Sequence, residues 1–263
     1  MAHSRSEKIE ALGRIIDTLD ILRVECPWDK KQTNESLRSN TIEEVYELCE
    51  ALINDDAQNI KKELGDVLLH ILFYSKIGEE QNRFDIADVA DALNEKLIFR
   101  HPHVFGNTSV STTQEVEQNW EQIKLKEKGG NKTVLAGVPK SLPAMIKANR
   151  IQEKASNVGF DWDAPMQAWE KVKEELNELS TEIDAHDKNK IESELGDLLF
   201  SIINVSRLYG INPENALEKT NKKFISRFNY IEQKAISAGK NLKDMSLAEM
   251  DSLWDEAKHR EQV

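Results

Sequence analysis

The sequence predicts an all-α fold of two tandem helical bundle domains related by duplication. Along most of the chain, apolar residues recur at intervals of three and four, the period of a helix with one apolar face. The alternating pattern typical of β-strands is scarce. The tetrapeptide Glu-Leu-Gly-Asp occurs at 63–66 and again at 194–197, each time at the head of an apolar helix. Because glycine within a helix costs about 1 kcal/mol relative to alanine, its repetition indicates a repeated functional role.

The apolar periodicity predicts ten helices. The second of them has an apolar stripe with glutamates beside it, formed by Ile42, Val45, Leu48 and Leu52, and the seventh repeats the pattern with Leu176, Leu179 and Ile183. Thr41, followed three residues later by Glu44, fits a capping box at the start of the second helix. The predicted helices lie near residues 6–22, 40–54, 57–80, 84–99, 112–128, 141–156, 165–185, 187–209, 213–237 and 246–260.

A break in this pattern predicts the domain boundary. The segment KGGNKTVLAGVPKSLP at 128–143 contains three glycines and two prolines, which is typical of a linker. We therefore expect an N-terminal domain at 1–128, a linker at 129–140 and a C-terminal domain at 141–263.

The two halves share a set of residues at similar spacing. The gap from Glu47 to Glu63 is 16 residues, and so is the gap from Glu178 to Glu194. Such an internal repeat indicates that the domain itself is duplicated. The matching sets are Glu44, Glu47, Glu63, Asp66, Lys96, Arg100 and Trp120 in the first half, and Glu175, Glu178, Glu194, Asp197, Lys223, Arg227 and Trp254 in the second.

The repeated acids predict a metal site in each half. Residues three apart on a helix share a face, and two helices with a short connection pack antiparallel, so four carboxylates are expected to meet at one seam. Unpaired carboxylates would repel one another and resist desolvation, which a divalent cation relieves. All-oxygen ligands suit Mg²⁺ or Mn²⁺, whereas a di-iron bundle would need Glu-x-x-His. Gly65 and Gly196 leave room for a helix or ligand to approach. The alternative is that the acids form solvated helix faces, which the equal spacing of the two sets disfavours.

Basic and aromatic residues near the acids are candidates for binding phosphate and base. Lys223 and Arg227 are four apart on one helix face and suit a phosphate clamp. Lys171 and Lys190 flank the acidic helices of the second half. Trp254 suits either stacking on a base or anchoring an amphipathic helix in the core.

Composition limits the functional class. The net charge of −12 over 263 residues argues against binding polymeric nucleic acid through its backbone. The two cysteines, Cys26 and Cys49, have no metal-binding spacing, and the apolar runs are too short to span a bilayer. We expect a cytoplasmic protein without a membrane segment.

Several stretches together resemble the MazG family, two-domain all-α nucleoside triphosphate pyrophosphohydrolases. They cover nearly the whole chain: CPWDKKQTNESL (26–37), TIEEVYELCEAL (41–52), KELGDVLLH, RHPHVFG (100–106), NWEQIK and ANRIQEKASNVGFDW (148–162). The resemblance implies two MazG-type helical domains, hydrolysis of nucleoside triphosphates to monophosphate and pyrophosphate with Mg²⁺, and a homodimer. It also implies that the C-terminal copy is catalytic, with Glu175, Glu178, Glu194 and Asp197 as metal ligands and Lys171, Lys190, Lys223, Arg227 and Trp254 contacting nucleotide.

The residues favour direct attack by water. The sequence has no Walker A loop, and no Ser-His-Asp or Cys-His set stands out. Phosphoryl chemistry needs charge neutralisation and in-line placement more than a covalent nucleophile. The alternatives are a narrower dUTP-type or phosphoribosyl-ATP-type enzyme, or a non-catalytic helical interaction protein. The motif His-Pro-His at 101–103 is interpreted as a structural turn, because its spacing suits joint metal ligation poorly.

Two further observations bear on assembly and on the active copy. Short acidic helices cannot bury their apolar stripes alone, so a homodimer is expected to complete each bundle. The net charge is −9 over residues 1–128 and −3 over the remainder, so a polyanionic substrate is repelled less by the second half. One turn past the repeated aspartate stands His70 in the first copy and Ser201 in the second.

Overall fold

The computed structural model describes residues 2–108, 110, 112, 115–116, 123 and 133–260. Within them the secondary structure is helical, without strands, so the predicted all-α class is confirmed. None of the helices in this part of the chain is long and apolar enough to cross a membrane. The helices are α1 (Arg5–Glu25), α2 (Asn34–Ile53), α3 (Ala57–Glu80), α4 (Ile86–Arg100), the short α5 (Pro102–Phe105), α6 (Ala144–Ser156), α7 (Pro165–Ala185), α8 (Lys188–Leu208), α9 (Pro213–Ser237) and α10 (Leu247–Arg260).

The chain divides into two compact units, Met1–Val110 and Ser111–Val263. In the N-terminal unit, α2 and α3 form a tightly packed helical hairpin, and α1 and α4 pack against α3. Its core is built from five buried apolar side chains: Leu19, Leu37, Leu72, Phe73 and Ile77. Helices α1 and α2 contribute one residue each to this core and α3 contributes three, so α3 is the central helix.

The C-terminal unit repeats the hairpin with α7 and α8. Helix α6 packs against α8 and α9, and α10 packs against α9. Buried Gln152 on α6 donates a hydrogen bond from Nε2 to the carbonyl of Phe200 at 2.8 Å, which fixes α6 on the helix that carries the repeated tetrapeptide. The same two helices are joined again through Asp161, which accepts hydrogen bonds from Ser156 Oγ at 2.6 Å and Arg207 Nη1 at 2.9 Å.

The two hairpins turn in the same way. In each, a non-glycine residue adopts the left-handed conformation, Asp55 with φ 52° and His186 with φ 57°. The next residue is the N-cap of the second helix: the carboxylates of Asp56 and Asp187 accept hydrogen bonds from backbone N–H groups of the first helical turn. Aspartate and histidine are among the residues that tolerate the left-handed region best. The connection is thus short and fixed, which sets the register of the acids on the paired helices.

The segment between α1 and α2 is held by a buried arginine. Arg23 donates hydrogen bonds to both carboxylate oxygens of Glu80, at 2.9 and 2.6 Å, and to the carbonyl oxygens of Asp29 and Gln32. This places the end of α3, the end of α1 and the Cys-Pro-Trp-Asp stretch in one network. Charge-assisted bonds of this kind are stronger than neutral ones, because one or both partners are ionised.

Helix α2 begins six residues before its predicted start, and the proposed capping box at Thr41 is wrong. Thr33 is the N-cap, and its side chain exchanges hydrogen bonds with Ser36. Thr41 instead lies inside the helix, where its hydroxyl donates to the carbonyl of Leu37 at 2.9 Å. The local motif was ambiguous because threonine bonds to backbone at helix starts and within helices alike.

The predicted helix at 112–128 and Trp120 fall largely or wholly outside the described residues. So do most residues around the predicted boundary at 128, and the boundaries at 128 and 140 therefore remain predictions. The His-Pro-His motif begins α5, with Pro102 at its first position. Proline suits that position because its missing N–H would have no helical partner there. The ring nitrogen Nδ1 of His101 lies 2.6 Å from the carbonyl of Leu97.

Candidate metal centre

Each hairpin brings three carboxylates together. In the N-terminal unit, Glu44 of α2 meets Glu63 and Asp66 of α3, and one oxygen from each lies within 4.8 Å of the others. In the C-terminal unit, Glu175 of α7 meets Glu194 and Asp197 of α8 within the same distance. The two acids on the second helix are three residues apart and therefore share its face. We call these sets the N cluster and the C cluster.

The fourth predicted acid of each set lies beside its cluster and not in it. Glu47 is within 3.9 Å of the ammonium of Lys62 and is close enough to Glu44 to raise the pKa of that carboxyl. Glu178 likewise raises the pKa of Glu194. Three carboxylates of each set thus come together at the seam between the two helices, and the fourth lies one turn away on the first helix of the hairpin.

The clusters are electrostatically strained. The pKa of Glu44 is raised above its ordinary value, first by desolvation and then by Asp66, Glu47 and Glu63. The pKa of Glu194 is raised by desolvation and by the neighbouring acids, Glu178 foremost. Both shifts have the same origin, because several negative charges are held together where water is partly excluded. A bound cation removes this repulsion.

The two clusters differ in which acid is buried. In the N cluster it is Glu63, whose exposure is 5%, and in the C cluster it is Glu175, at 6%. Oxygen Oε2 of Glu63 is buried and has no hydrogen-bond partner among the described residues. A buried carboxylate oxygen without a partner is costly. In the N cluster, Glu63 Oε2 is therefore a hydrogen-bond acceptor that no described residue of its own unit satisfies.

Lysines occupy different places in the two clusters. Lys62 lies on the N cluster, with its Nζ 2.9 Å from Glu63 Oε1 and 3.8 Å from Asp66 Oδ2. Sequence analysis missed this residue, although its position directly before the repeated tetrapeptide was visible. Lys171 pairs at 2.8 Å with Glu175 and, outside the cluster, with Glu174, and these bonds raise the lysine pKa.

The remaining basic residues that the sequence singled out lie around the hairpin of their own unit. Lys190, near the start of α8, pairs with Glu182 at 3.4 Å. Lys223 is exposed and Arg227 half-buried, one turn apart on α9, and α9 packs against α8. In the N-terminal unit, Lys96 is exposed and Arg100 half-buried at the end of α4, which packs against α3. Both pairs thus lie on the helix that neighbours the second helix of the hairpin.

Trp254 belongs to an aromatic group on α9 and α10. Its ring centroid lies 5.1 Å from that of Phe224, and the guanidinium of Arg227 lies 5.4 Å from the ring. Phe224 in turn stacks on Phe228 with centroids 6.1 Å apart. The tryptophan is half-buried, so it packs within its unit while part of it stays accessible.

Alignment of the two hairpins on their acids shows further differences. The places of Lys171 and Lys190 are taken in the first copy by Asn40 and Asn59, so the first copy lacks both lysines. The place of Lys62 is taken in the second copy by Ser193.

The pair that sequence analysis singled out also differs in structure. His70 is buried, with its Nδ1 3.0 Å from the hydroxyl of Thr41, and burial lowers its pKa. Ser201 donates its hydroxyl to the carbonyl of Leu198 at 2.9 Å. The two clusters therefore have chemically different neighbours, although both are built on the same kind of helical hairpin.

The two glycines of the repeated tetrapeptides do not mark close packing within either unit. A Cβ placed on Gly65 or Gly196 would meet no described atom within 4 Å. The expectation that another helix approaches there is not met by the described residues. These positions face open space, where a ligand or a second copy of the chain has access.

Comparison with known proteins connects these centres to a family. The family model for the MazG nucleotide pyrophosphohydrolase domain matches residues 32–105 and 165–231, which include both hairpins. A protein of Thermotoga maritima described as nucleoside triphosphate pyrophosphohydrolase/pyrophosphatase MazG is 45% identical over 234 residues, or 89% of each chain. A nucleoside triphosphate pyrophosphohydrolase of Escherichia coli (strain K12) is 39% identical over 240 residues, 90% of this chain and 91% of its own. YabN of Bacillus subtilis (strain 168), described as uncharacterized, is 48% identical over 238 residues, which is 90% of this chain but 49% of the relative.

Proposed function

Because this chain belongs to the MazG family and is a nucleoside triphosphate pyrophosphohydrolase, we propose that it is a Mg²⁺-dependent enzyme of broad specificity. It converts ribo- and deoxynucleoside triphosphates with water to the monophosphate and pyrophosphate. The observation that carries the metal dependence is the cluster of three carboxylates in each hairpin. The free thiols of Cys26 and Cys49 fit the reducing cytoplasm that we propose as its location.

The donor set of the C cluster fits a hard divalent cation. Its three ligand atoms are carboxylate oxygens, which Mg²⁺ and Mn²⁺ prefer. Glu175, Glu194 and Asp197 would hold the cation, and Glu178 would complete the set from one turn away. When bound, the cation neutralises charge on the phosphate oxygens and orients them for displacement. The pKa of Glu194 is raised first by desolvation and then by the neighbouring acids, and a bound cation would relieve the repulsion from those acids.

The basic residues of the C-terminal unit bind the phosphates in this proposal. Lys171 and Lys190 flank the acidic helices, and Lys223 and Arg227 approach from α9. A carboxylate of the cluster accepts the proton of the attacking water, and water adds across the α–β anhydride bond as pyrophosphate leaves. Trp254, which is partly accessible, offers its ring to the base.

We propose that the C-terminal copy is the catalytic one. Its hairpin carries Lys171 and Lys190, whereas the first copy has Asn40 and Asn59 in those places. A triphosphate brings several negative charges toward a cluster that is itself negative, so cations at its rim are needed. The N-terminal copy, with its Lys96 and Arg100, then serves chiefly in assembly.

A homodimer is proposed because the hairpins leave apolar stripes uncovered. The large apolar side chains on α7 and α8 that are about half exposed include Leu176, Ile183, Leu195, Leu199 and Ile202. The N-terminal hairpin shows the same at Ile42, Val45, Leu52, Leu64 and Ile71. Large apolar side chains left exposed on paired helices favour an interaction site there. A second copy of the hairpin would complete a four-helix bundle.

Product analysis tests the reaction. The purified chain is incubated with a panel of canonical and damaged ribo- and deoxynucleoside triphosphates, with dUTP and phosphoribosyl-ATP included, and the products are separated by ion-exchange chromatography. We expect monophosphate and pyrophosphate in equal amounts from several substrates, only with divalent cation. Nucleoside diphosphate and inorganic phosphate as main products, or full activity in EDTA, would overturn the proposal. Activity confined to dUTP or phosphoribosyl-ATP would identify a narrower enzyme.

A further inference from the structure

One lysine reaches three of the four acids in the N-terminal hairpin. The Nζ of Lys62 lies 2.9 Å from Glu63 Oε1, 3.8 Å from Asp66 Oδ2 and 3.9 Å from Glu47 Oε2. An ammonium group so placed lies against two of the three acids of the N cluster, Glu63 and Asp66.

The C-terminal hairpin has no such cation at the matching position. Ser193 stands there, directly before Glu194 as Lys62 stands before Glu63. Lys171 approaches that cluster from α7, but it contacts Glu175 alone of the three acids and shares its charge with Glu174. The C cluster therefore keeps Glu194 and Asp197 open to a cation from solution.

We propose that Lys62 is a tethered counter-ion that takes the place of the divalent cation in the N cluster, so that the chain binds metal selectively in its C-terminal copy. A metal entering the N cluster must displace three ion pairs and approach a positive charge at a few ångströms, which strongly disfavours it. The acids themselves still form a donor set, and buried Glu63 keeps an oxygen without a partner. Removal of the lysine charge thus exposes a latent second metal site.

Direct counting of bound Mn²⁺ tests this inference, which rests on the proposed metal role of the C cluster. Free Mn²⁺ is titrated against the full chain, and the unbound ion is quantified by its electron paramagnetic resonance signal. We expect one tight site per chain in the wild type and two in Lys62→Ser, which copies Ser193, and in Lys62→Gln, which keeps the side-chain length. The new site should bind at least 10-fold more tightly than the N cluster of the wild type.

A matched control removes the same charge from the neighbouring residue. Lys61 is exposed and makes none of the three ion pairs, so Lys61→Ser should bind like the wild type. Adding Glu63→Gln to Lys62→Ser should abolish the second site. Two equal sites in the wild type, or no gain in either Lys62 variant when circular dichroism shows a folded chain, would overturn the inference.

The same titration separates this inference from the proposed function. Glu194→Gln should lose the wild-type site, and Glu194→Gln combined with Lys62→Ser should keep only the new one. A wild-type chain that binds no metal while Lys62→Ser gains a site overturns the C-terminal assignment and supports the role of Lys62. A single wild-type site that Glu194→Gln removes, with no gain in the Lys62 variants, supports the C-terminal metal site and overturns the role of Lys62. Absence of binding in every variant overturns both.

Discussion

Acids at matching positions of the two hairpins have different surroundings. The buried acid is Glu63 of α3 in the first copy and Glu175 of α7 in the second. Each of these two has a lysine at hydrogen-bond distance, Lys62 and Lys171 respectively. The two hairpins have therefore diverged in their side-chain contacts. The same substitution at matching positions of the two copies is expected to have different effects on turnover and assembly.

The first prediction compares turnover of matched substitutions in the two copies. Glu175→Ala and Glu194→Gln should lower kcat at least about 100-fold, the scale for a lost metal ligand or its supporting group. Glu44→Ala and Glu63→Gln should affect kcat much less and weaken assembly more. Steady-state kinetics is measured on each variant, with dimer content checked by light scattering. Loss of turnover in dimeric first-copy variants, with activity kept in second-copy variants, would assign catalysis to the first copy.

The second prediction concerns Glu80 and the pH dependence of stability. Its hydrogen bonds with Arg23 hold the pKa of this carboxyl below its ordinary value of 4.5. A carboxyl with a lowered pKa in the folded state binds fewer protons there than in the unfolded state. Its stabilising contribution is thus present above pH 4.5 and is lost as the pH falls through the lowered value.

Thermal unfolding of the wild type and Glu80→Gln across pH 3 to 7 measures this contribution. The difference in melting temperature between the two should be constant near neutral pH and should shrink as the pH falls below about 4.5. Asp17→Asn, which removes a carboxylate on α1 outside the Arg23 network, is the control. A difference in melting temperature between wild type and Glu80→Gln that stays constant to pH 3 would show that Arg23 does not stabilise the ionised carboxyl.

At the level of helices, the hairpin is the unit that builds the site. A short turn with one left-handed residue and an aspartate cap sets α8 against α7, and the same device sets α3 against α2. The caps satisfy backbone N–H groups that a helix start leaves without intrahelical partners. The acids on the second helix are therefore positioned by the turn that precedes them by about two turns of helix.

The third prediction is the cost of losing a hairpin cap. Asp187→Ala should lower the free energy of unfolding of the C-terminal unit by about 1 kcal/mol, because the carboxylate no longer accepts from Asn189 and Lys190 N–H. Asp187→Asn should retain most of the stability, since the amide oxygen also caps. Urea unfolding followed by circular dichroism measures both. Equal stability of the alanine variant and the wild type would show that the cap contributes nothing.

At the level of the whole molecule, exposed apolar side chains are the main feature that the single chain does not explain. The apolar stripe on α7 that the sequence indicated is about half exposed at Leu176 and Ile183, although Leu179 is buried. Helical hairpins of this size bury only part of their apolar surface, and oligomerisation is one means of covering the rest.

The fourth prediction is the assembly state. Light scattering at micromolar concentration should give about twice the chain mass of 30.1 kDa. Leu199→Asp, which places a charge on the half-exposed apolar face of α8, should yield a monomer, because a charge in an apolar interface is left desolvated and unpaired. Leu199→Met keeps the surface apolar and should remain dimeric. A wild-type monomer would overturn the proposed dimer, and a dimeric Leu199→Asp would place its interface elsewhere.

The sequence by itself determined the helical class, the duplication, the family and the pairing of acids on each hairpin. The family follows from the resemblance of whole motifs to known proteins. The class, the duplication and the pairing follow from local regularities, since the helical period and the spacing of three residues fix which side chains share a face. The helix limits were less certain where two local uses of one residue compete, as at Thr41.

Only the tertiary structure decided which acids are buried and which lysine contacts each cluster. The contact of Lys62 with Glu47 depends on how α2 packs on α3, and the clamp of Arg23 on Glu80 joins residues 57 apart in sequence. Such contacts arise between helices, where no periodic pattern records the facing partner. Burial and pairing are properties of the packed interface, so they become visible only when both of its sides are in place.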